Sequence, residues 1–223
     1  MRAKGATEMT HEMKWFVRLA SAIIVGVIGF GAITPTARAV PAGLKGTFQE
    51  LKEPSTHTPG KVKLTEFADF YCHHCHMFEQ GALPVLEKEF GDRLEVTMVG
   101  FPVIPGKLPT AFDMYEQART MGKGTEMKRV LFRTIHTDRV QILDRLIRES
   151  LIKEVGLDPS AFEAGLASGK PAKAVEQGKK WGQRVEVKQT PTLLLDGNIK
   201  VELLAPENLI TVIRSILDAD GKR

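Results

Sequence analysis

The chain has 223 residues, 43% of them hydrophobic and 26% charged, which suits one sizeable domain or a domain with an insertion and excludes a disordered chain. Its formal charge of +4 does not mark a nucleic-acid binder. Arg2, Lys4, Lys14, Arg18 and Arg38 against Glu8 and Glu12 put +3 in the first 39 residues, and the +1 left for the rest forms no basic patch with interleaved aromatics.

Lys14 and Arg18 precede an uncharged apolar run from Leu19 to Ile33, followed by Thr34-Pro35-Thr36 and the small-residue exit Ala37-Arg38-Ala39. This pattern predicts a secretory signal peptide over residues 1–39. The run is shorter than the ~20 residues of a membrane-spanning helix, although an uncleaved anchor is the alternative. Because the basic region before the run is long, Met9 and Met13 are alternative starts. Either way the cysteines lie outside the cytoplasm, where disulfides persist.

Residues 40–60 read as an extension rich in Pro, Gly, Ser and Thr, with a short edge strand at 47–51. A strand is predicted over 61–71, where Val62, Leu64, Phe67 and Phe70 are apolar. One helix is predicted over 72–90, with Phe78, Leu83, Leu86 and Phe90 near helical spacing and Gly91-Asp92 as its stop. A second strand follows over 93–101, ended by Pro102 and Pro105.

A long helical stretch comes next. Its faces are Ala111, Met114, Tyr115 and Ala118; then Met127, Val130, Leu131 and Ile135; then Ile142, Leu143, Leu146, Ile147 and Leu151. Asp158-Pro159-Ser160 has the form of a helix start, and 171–185 reads as a further helix. Thr192 to Val201 reads as a hairpin turning at Asp196-Gly197-Asn198, and an amphipathic helix closes the chain over 206–218. The order is β-α-β, a helical block, then β-β-α, an α/β architecture. Loop signals near Gly106-Lys107 and Glu186 divide it into a first half at 61–107, a helical insertion at 108–184 and a second half at 185–223.

The only two cysteines, Cys72 and Cys75, close too small a ring to stabilise the chain, so a chemical use is expected. They sit where a strand gives way to a helix. A helix amino terminus carries unpaired N–H groups and partial positive charge, which stabilise a thiolate at Cys72. His73 and His74 add donors or charge beside it. Cys75, one turn further in, should be more shielded. An exposed nucleophile with a buried resolving partner is what exchange through a mixed disulfide requires.

The segment from Leu64 to Glu79, LTEFADFYCHHCHMFE, resembles the active-site segment of DsbA-like proteins of the thioredoxin superfamily. Leu51-Lys52-Glu53-Pro54 resembles their amino-terminal strand, Thr190-Pro191-Thr192 their cis-proline element, and Leu193 to Asn198 the strand and turn after it. The resemblance implies a thioredoxin fold with an inserted helical domain and a redox-active Cys72–Cys75 disulfide. Glu66 is implied as a buried acid relaying protons to or from Cys75, although a lone Glu in a strand usually faces solvent. Asp69 reads as a surface residue or helix cap. Pro191 is implied to be cis and to pack over the sulfurs. His73 stands where many relatives carry proline, and Thr190 does not separate oxidases from isomerases.

The implied activity is thiol:disulfide interchange in the periplasm or an equivalent space. A monomer would oxidise reduced exported polypeptides, be reoxidised by a quinone-linked membrane partner, and need no dissociable cofactor. Oxidase is favoured over isomerase because only the short segment 40–60 precedes the core, where isomerases of this superfamily carry a dimerisation domain; an isomerase or reductase of the same fold is the alternative. Two rivals come from the same residues. Cys72 to His76 also spells the C-x-x-C-H signature of c-type haem attachment, but a strong strand leads into it. Its two cysteines and three histidines are metal-ligand types, but His11, His57 and His136 are too scattered to complete a site.

Overall fold

Val62–Ala68 forms the interior strand β2, which follows β1, the two-residue Gln49–Glu50, in chain order. Leu94–Gly100 (β3) runs parallel to it, from Val62 opposite Leu94 to Ala68 opposite Gly100. Thr192–Leu195 (β4) lies antiparallel on its other side, and Ile199–Val201 (β5) pairs with β4. The sheet order is β1-β5-β4-β2-β3, so β1 is the edge strand expected near 47–51. The computed structural model describes residues 43–104, 110–142 and 144–221. The signal segment at 1–39, Pro105, the Gly106-Lys107 boundary and Leu143 lie outside the described residues.

The helix expected over 72–90 is two helices, α1 His73–Gln80 and α2 Ala82–Phe90, broken at Gly81. Pro84 explains the break. It has no N–H, and its ring would clash with the Gln80 carbonyl in a continuous helix. Restarting at Ala82 puts Pro84 in a first turn, where an N–H would have no helical acceptor. Both helices still bury the expected Phe78, Leu83, Leu86 and Phe90.

The strand expected to reach residue 71 stops at Ala68. Asp69 is neither a surface residue nor a side-chain cap. It is buried, and its carboxylate accepts N–H bonds from Tyr71, Val103 and Ile104 at 2.7–2.9 Å. These bonds bend both the end of β2 and the chain leaving β3 towards one carboxylate.

Between β3 and β4 stand α3 Thr110–Thr120, α4 Gly124–Phe132, a π-helical turn Arg133–Thr137, α5 Arg145–Glu154, α6 Pro159–Ala167 and α7 Lys170–Arg184. Asp158 caps α6 through the Ala161 N–H, as its sequence signal implied. One expected face is corrected. Leu146 is 69% exposed, because the Asp144 cap starts α5 at Arg145 and leaves Leu146 in a solvent-facing first turn. Ile142 is buried ahead of that helix.

One apolar cluster joins Ala68, Phe70, Cys72, Cys75 and Met98 to Phe112, Met114, Leu131 and Phe132, so these helices share a core with the cysteine segment. A second cluster packs Val62, Leu64, Leu193 and Leu195 against α2 and the last helix, α8 Pro206–Asp220. On the other side of β2, Phe67 packs with Phe101, Leu194 and Trp181. There α7 comes close enough that a Cβ on Gly182 would lie 2.4 Å from the Phe101 ring. Among the described residues no helix is long and apolar enough to cross a membrane.

Candidate active site

Cys72 is the N-cap residue of α1, with extended backbone and no side-chain cap, so its side chain starts at the helix end that carries unpaired N–H groups and partial positive charge. Its own N–H donates to the Asp69 carbonyl at 3.0 Å. The β2–β4 register puts Thr192 opposite Phe67, which carries the preceding Thr190 and Pro191 to the cysteine end of the sheet. The Thr190–Pro191 bond is cis, and Cys72 Sγ lies 3.3 Å from the Thr190 carbonyl oxygen, to which the thiol donates.

Both cysteines are unbridged thiols. Cys72 retains 7% exposure and Cys75 none. Burial pushes the Cys75 thiol far above its ordinary range, with the Glu66 and Cys72 charges adding to it. The Asp69 main chain and the Thr190 hydroxyl act in the opposite direction.

Glu66 is wholly buried rather than solvent-facing, and neither carboxyl oxygen has a hydrogen-bond partner in good geometry. It lies on the β2 face that also carries Leu64 and Ala68, because side chains two apart in a strand share a face. Burial raises its pKa well above the usual carboxylate value, and the Glu79 charge adds to this. Lys128, paired with Glu79 at 2.6 Å, pulls the other way.

His73 and His74 are exposed, their rings 6.2 Å apart. His76 is buried and stacks on His136. That packing takes up the imidazole which the haem reading needs as an axial ligand. Among the described residues no three His, Cys, Asp or Glu side chains are placed to hold a metal ion. Beside Cys72 an open groove is lined by His74, Met77, Phe78, Pro191 and Leu204, with the Met77 side chain exposed.

The structure thus brings together Cys72, Cys75, His73, Glu66, Thr190 and Pro191, with His74 on the groove side. Sequence reasoning missed four residues beside them. Glu79 was legible in principle, since it follows Cys75 by one helical turn. Asp69 is one of them, buried rather than at the surface. Lys128 and His136 come from distant helical segments, and no local signal marks them.

A family model described as Thioredoxin matches residues 57–215. The thiol:disulfide interchange protein DsbA of Pseudomonas syringae pv. tomato is 23% identical over 207 residues, covering 90% of this chain and 94% of that protein. The protein of the same name from Azotobacter vinelandii is 23% identical over 210 residues, covering 89% and 95%. Among solved structures, Pseudomonas aeruginosa DsbA aligns with a TM-score of 0.62 at 18% identity, over 80% of this chain and 95% of that one. The N. meningitidis oxidoreductase NmDsbA1 aligns with a TM-score of 0.59 at 16% identity, over 83% and 98%. At these identities the structural matches speak to the fold. With the family model spanning most of its length and the curated relatives covered almost end to end, the chain belongs to the thioredoxin family, among its DsbA-like members.

Proposed function

We propose that this chain is a thiol:disulfide oxidoreductase working as an oxidase of reduced polypeptides outside the cytoplasm. The observation that carries the reading is the pairing of Cys72, at an open helix amino terminus beside the Thr190 carbonyl, with Cys75 buried one turn below it. In the oxidised enzyme a substrate thiolate attacks Cys72 Sγ. The Cys72–Cys75 bond breaks, a substrate–Cys72 disulfide forms, and Cys75 leaves as a thiolate. The raised thiol pKa of Cys75 means that this thiolate takes up a proton, and Glu66 is the acid we assign to supply it. A second substrate thiolate then attacks the substrate sulfur of the mixed disulfide and displaces Cys72. The substrate dithiol is oxidised by two electrons, and the enzyme disulfide is reduced by the same two.

His73 and His74 are assigned to stabilising the Cys72 thiolate, and Thr190 and Pro191 to shaping the surface that a substrate chain crosses. The groove along Met77 and Pro191 suits an extended, partly apolar polypeptide segment. Residues 1–39 are assigned as the signal for export, and a quinone-linked membrane protein as the oxidant that restores the disulfide. The test is redox equilibrium with glutathione, together with denaturant melts of both forms at pH 7. An oxidase has the less stable disulfide form. An oxidised protein that outlasts the reduced one would make the chain a reductase instead.

A further inference from the structure

His136 sits on the π-helical turn Arg133–Thr137 that follows α4. Its Nε2 lies 2.8 Å from the Phe70 carbonyl oxygen, so Nε2–H donates. That carbonyl is two residues ahead of Cys72. The same ring stacks on His76, with centroids 4.6 Å apart and planes 7° from parallel. His76 directly follows Cys75. One imidazole from the helical insertion therefore touches both flanks of the Cys72–Cys75 segment. Phe132 backs the pair, 6.2 Å from His76 and 6.1 Å from His136. π turns carry irregular hydrogen bonding and recur at functional sites. This one brings His136 onto the cysteine loop.

We propose that His136 is a positioning residue for thiol exchange, holding the Phe70 carbonyl and the His76 ring so that Cys72 stays at the α1 amino terminus beside Thr190. The proposal rests on the reading of Cys72 and Cys75 as the exchanging pair. Burial lowers the pKa of both imidazoles, and neighbouring histidines lower them further: His136 and His73 act on His76, and His73 acts on His136. Glu79 acts in the opposite sense on His76, and the Phe70 carbonyl and Asp69 do so on His136. A neutral donor is therefore what the clamp uses at pH 7, and a neutral amide can replace it.

Two variants separate the donor from the ring. His136→Phe keeps an aromatic stack on His76 and removes the donor. His136→Gln removes the ring and keeps a neutral donor near the place of Nε2. The readouts are the rate at which the reduced protein attacks a small aromatic disulfide, and its equilibrium with glutathione. His136→Phe is expected to slow exchange about 3–10-fold, the worth of one hydrogen bond, and to shift the equilibrium towards the disulfide. His136→Gln should recover most of the rate. A folded His136→Phe protein that matches wild type in both readouts overturns the proposal, and so do equal losses in the two variants. If His136→Phe does not fold, His136→Ala takes its place: it removes donor and ring together and is expected to slow exchange at least as much, with His136→Gln recovering part of the rate, and a folded His136→Ala protein that matches wild type overturns the proposal. A wild-type protein with no exchange at all rejects the oxidoreductase reading itself, and the role of His136 falls with it.

Discussion

At the amino-terminal end of β2, His57 bridges Asp196 at 2.7 Å and Asp220 at 2.8 Å. The other Asp196 oxygen accepts the Lys63 N–H, and the other Asp220 oxygen accepts the Gly60 N–H. At the cysteine end of the same strand, Glu66 is buried beside Glu79, and neither of its oxygens has a hydrogen-bond partner in good geometry. Burial raises both Asp196 and Glu66, but the opposing forces differ. Asp196 is held down by the Lys63 N–H and His57, whereas Glu66 has Lys128 against it and Glu79 pushing it further up. A satisfied buried cluster fastens structure, here the segment before β2 to the β4–β5 turn and the end of α8. An unsatisfied one costs stability, and the proton transfer proposed for Glu66 is a use that would offset that cost.

The largest expected effect lies at the cysteine end. Cys72→Ser should abolish exchange with little change in melting, since serine is itself a good N-cap. Residual exchange in that variant would put the nucleophile elsewhere. Next comes the opposite end. Asp196→Ala strands His57 and the Lys63 N–H, and should cost about 3–5 kcal/mol in denaturant melts while leaving the folded protein's exchange rate intact. A loss below about 1 kcal/mol would mean the His57 cluster is ornament, and the contrast between the ends would fail.

Glu66→Leu should do the reverse, gaining about 1–3 kcal/mol because it removes a buried acid without a well-formed hydrogen bond, while exchange slows by about 100-fold or more. pH sharpens this prediction. With its folded pKa raised, Glu66 keeps a proton that the unfolded chain releases, so wild-type stability should fall as pH rises from about 4.3 towards the folded value. The Glu66→Leu melting profile should lack that fall, and an unchanged slope would assign it to other groups.

The smallest effect concerns Cys75. Its raised thiol pKa makes the reduced protein lose about 1.4 kcal/mol per pH unit above about 8.5, where the unfolded thiol ionises and the folded one does not. The disulfide form has no such loss. Parallel slopes for the two forms in alkaline melts would contradict the burial of Cys75.

What the sequence determined by itself was local. The strand-to-helix junction at Cys72, the Asp158 cap and the turn at Asp196-Gly197, where both residues take positive φ, each depend on neighbours a few positions away. So do the strands, because period-2 apolar runs identify themselves. The fold class, the cysteine pair and Pro191 were legible on those grounds together with the family resemblance. The break at Gly81 is local too, because Pro84 three residues on dictates it. Tertiary structure alone decided which polar residues would be buried. Glu66 sits in a strand flanked on both sides by β3 and β4 and covered by helices, so it has no solvent face to turn towards. Asp69 gathers N–H groups from the loop after β3. Lys128 reaches Glu79, and His136 reaches Phe70, only because the insertion packs its core onto the cysteine segment. The physical reason is that burial and charge pairing depend on which distant segments arrive at a point in space, and no spacing along the chain encodes that arrival.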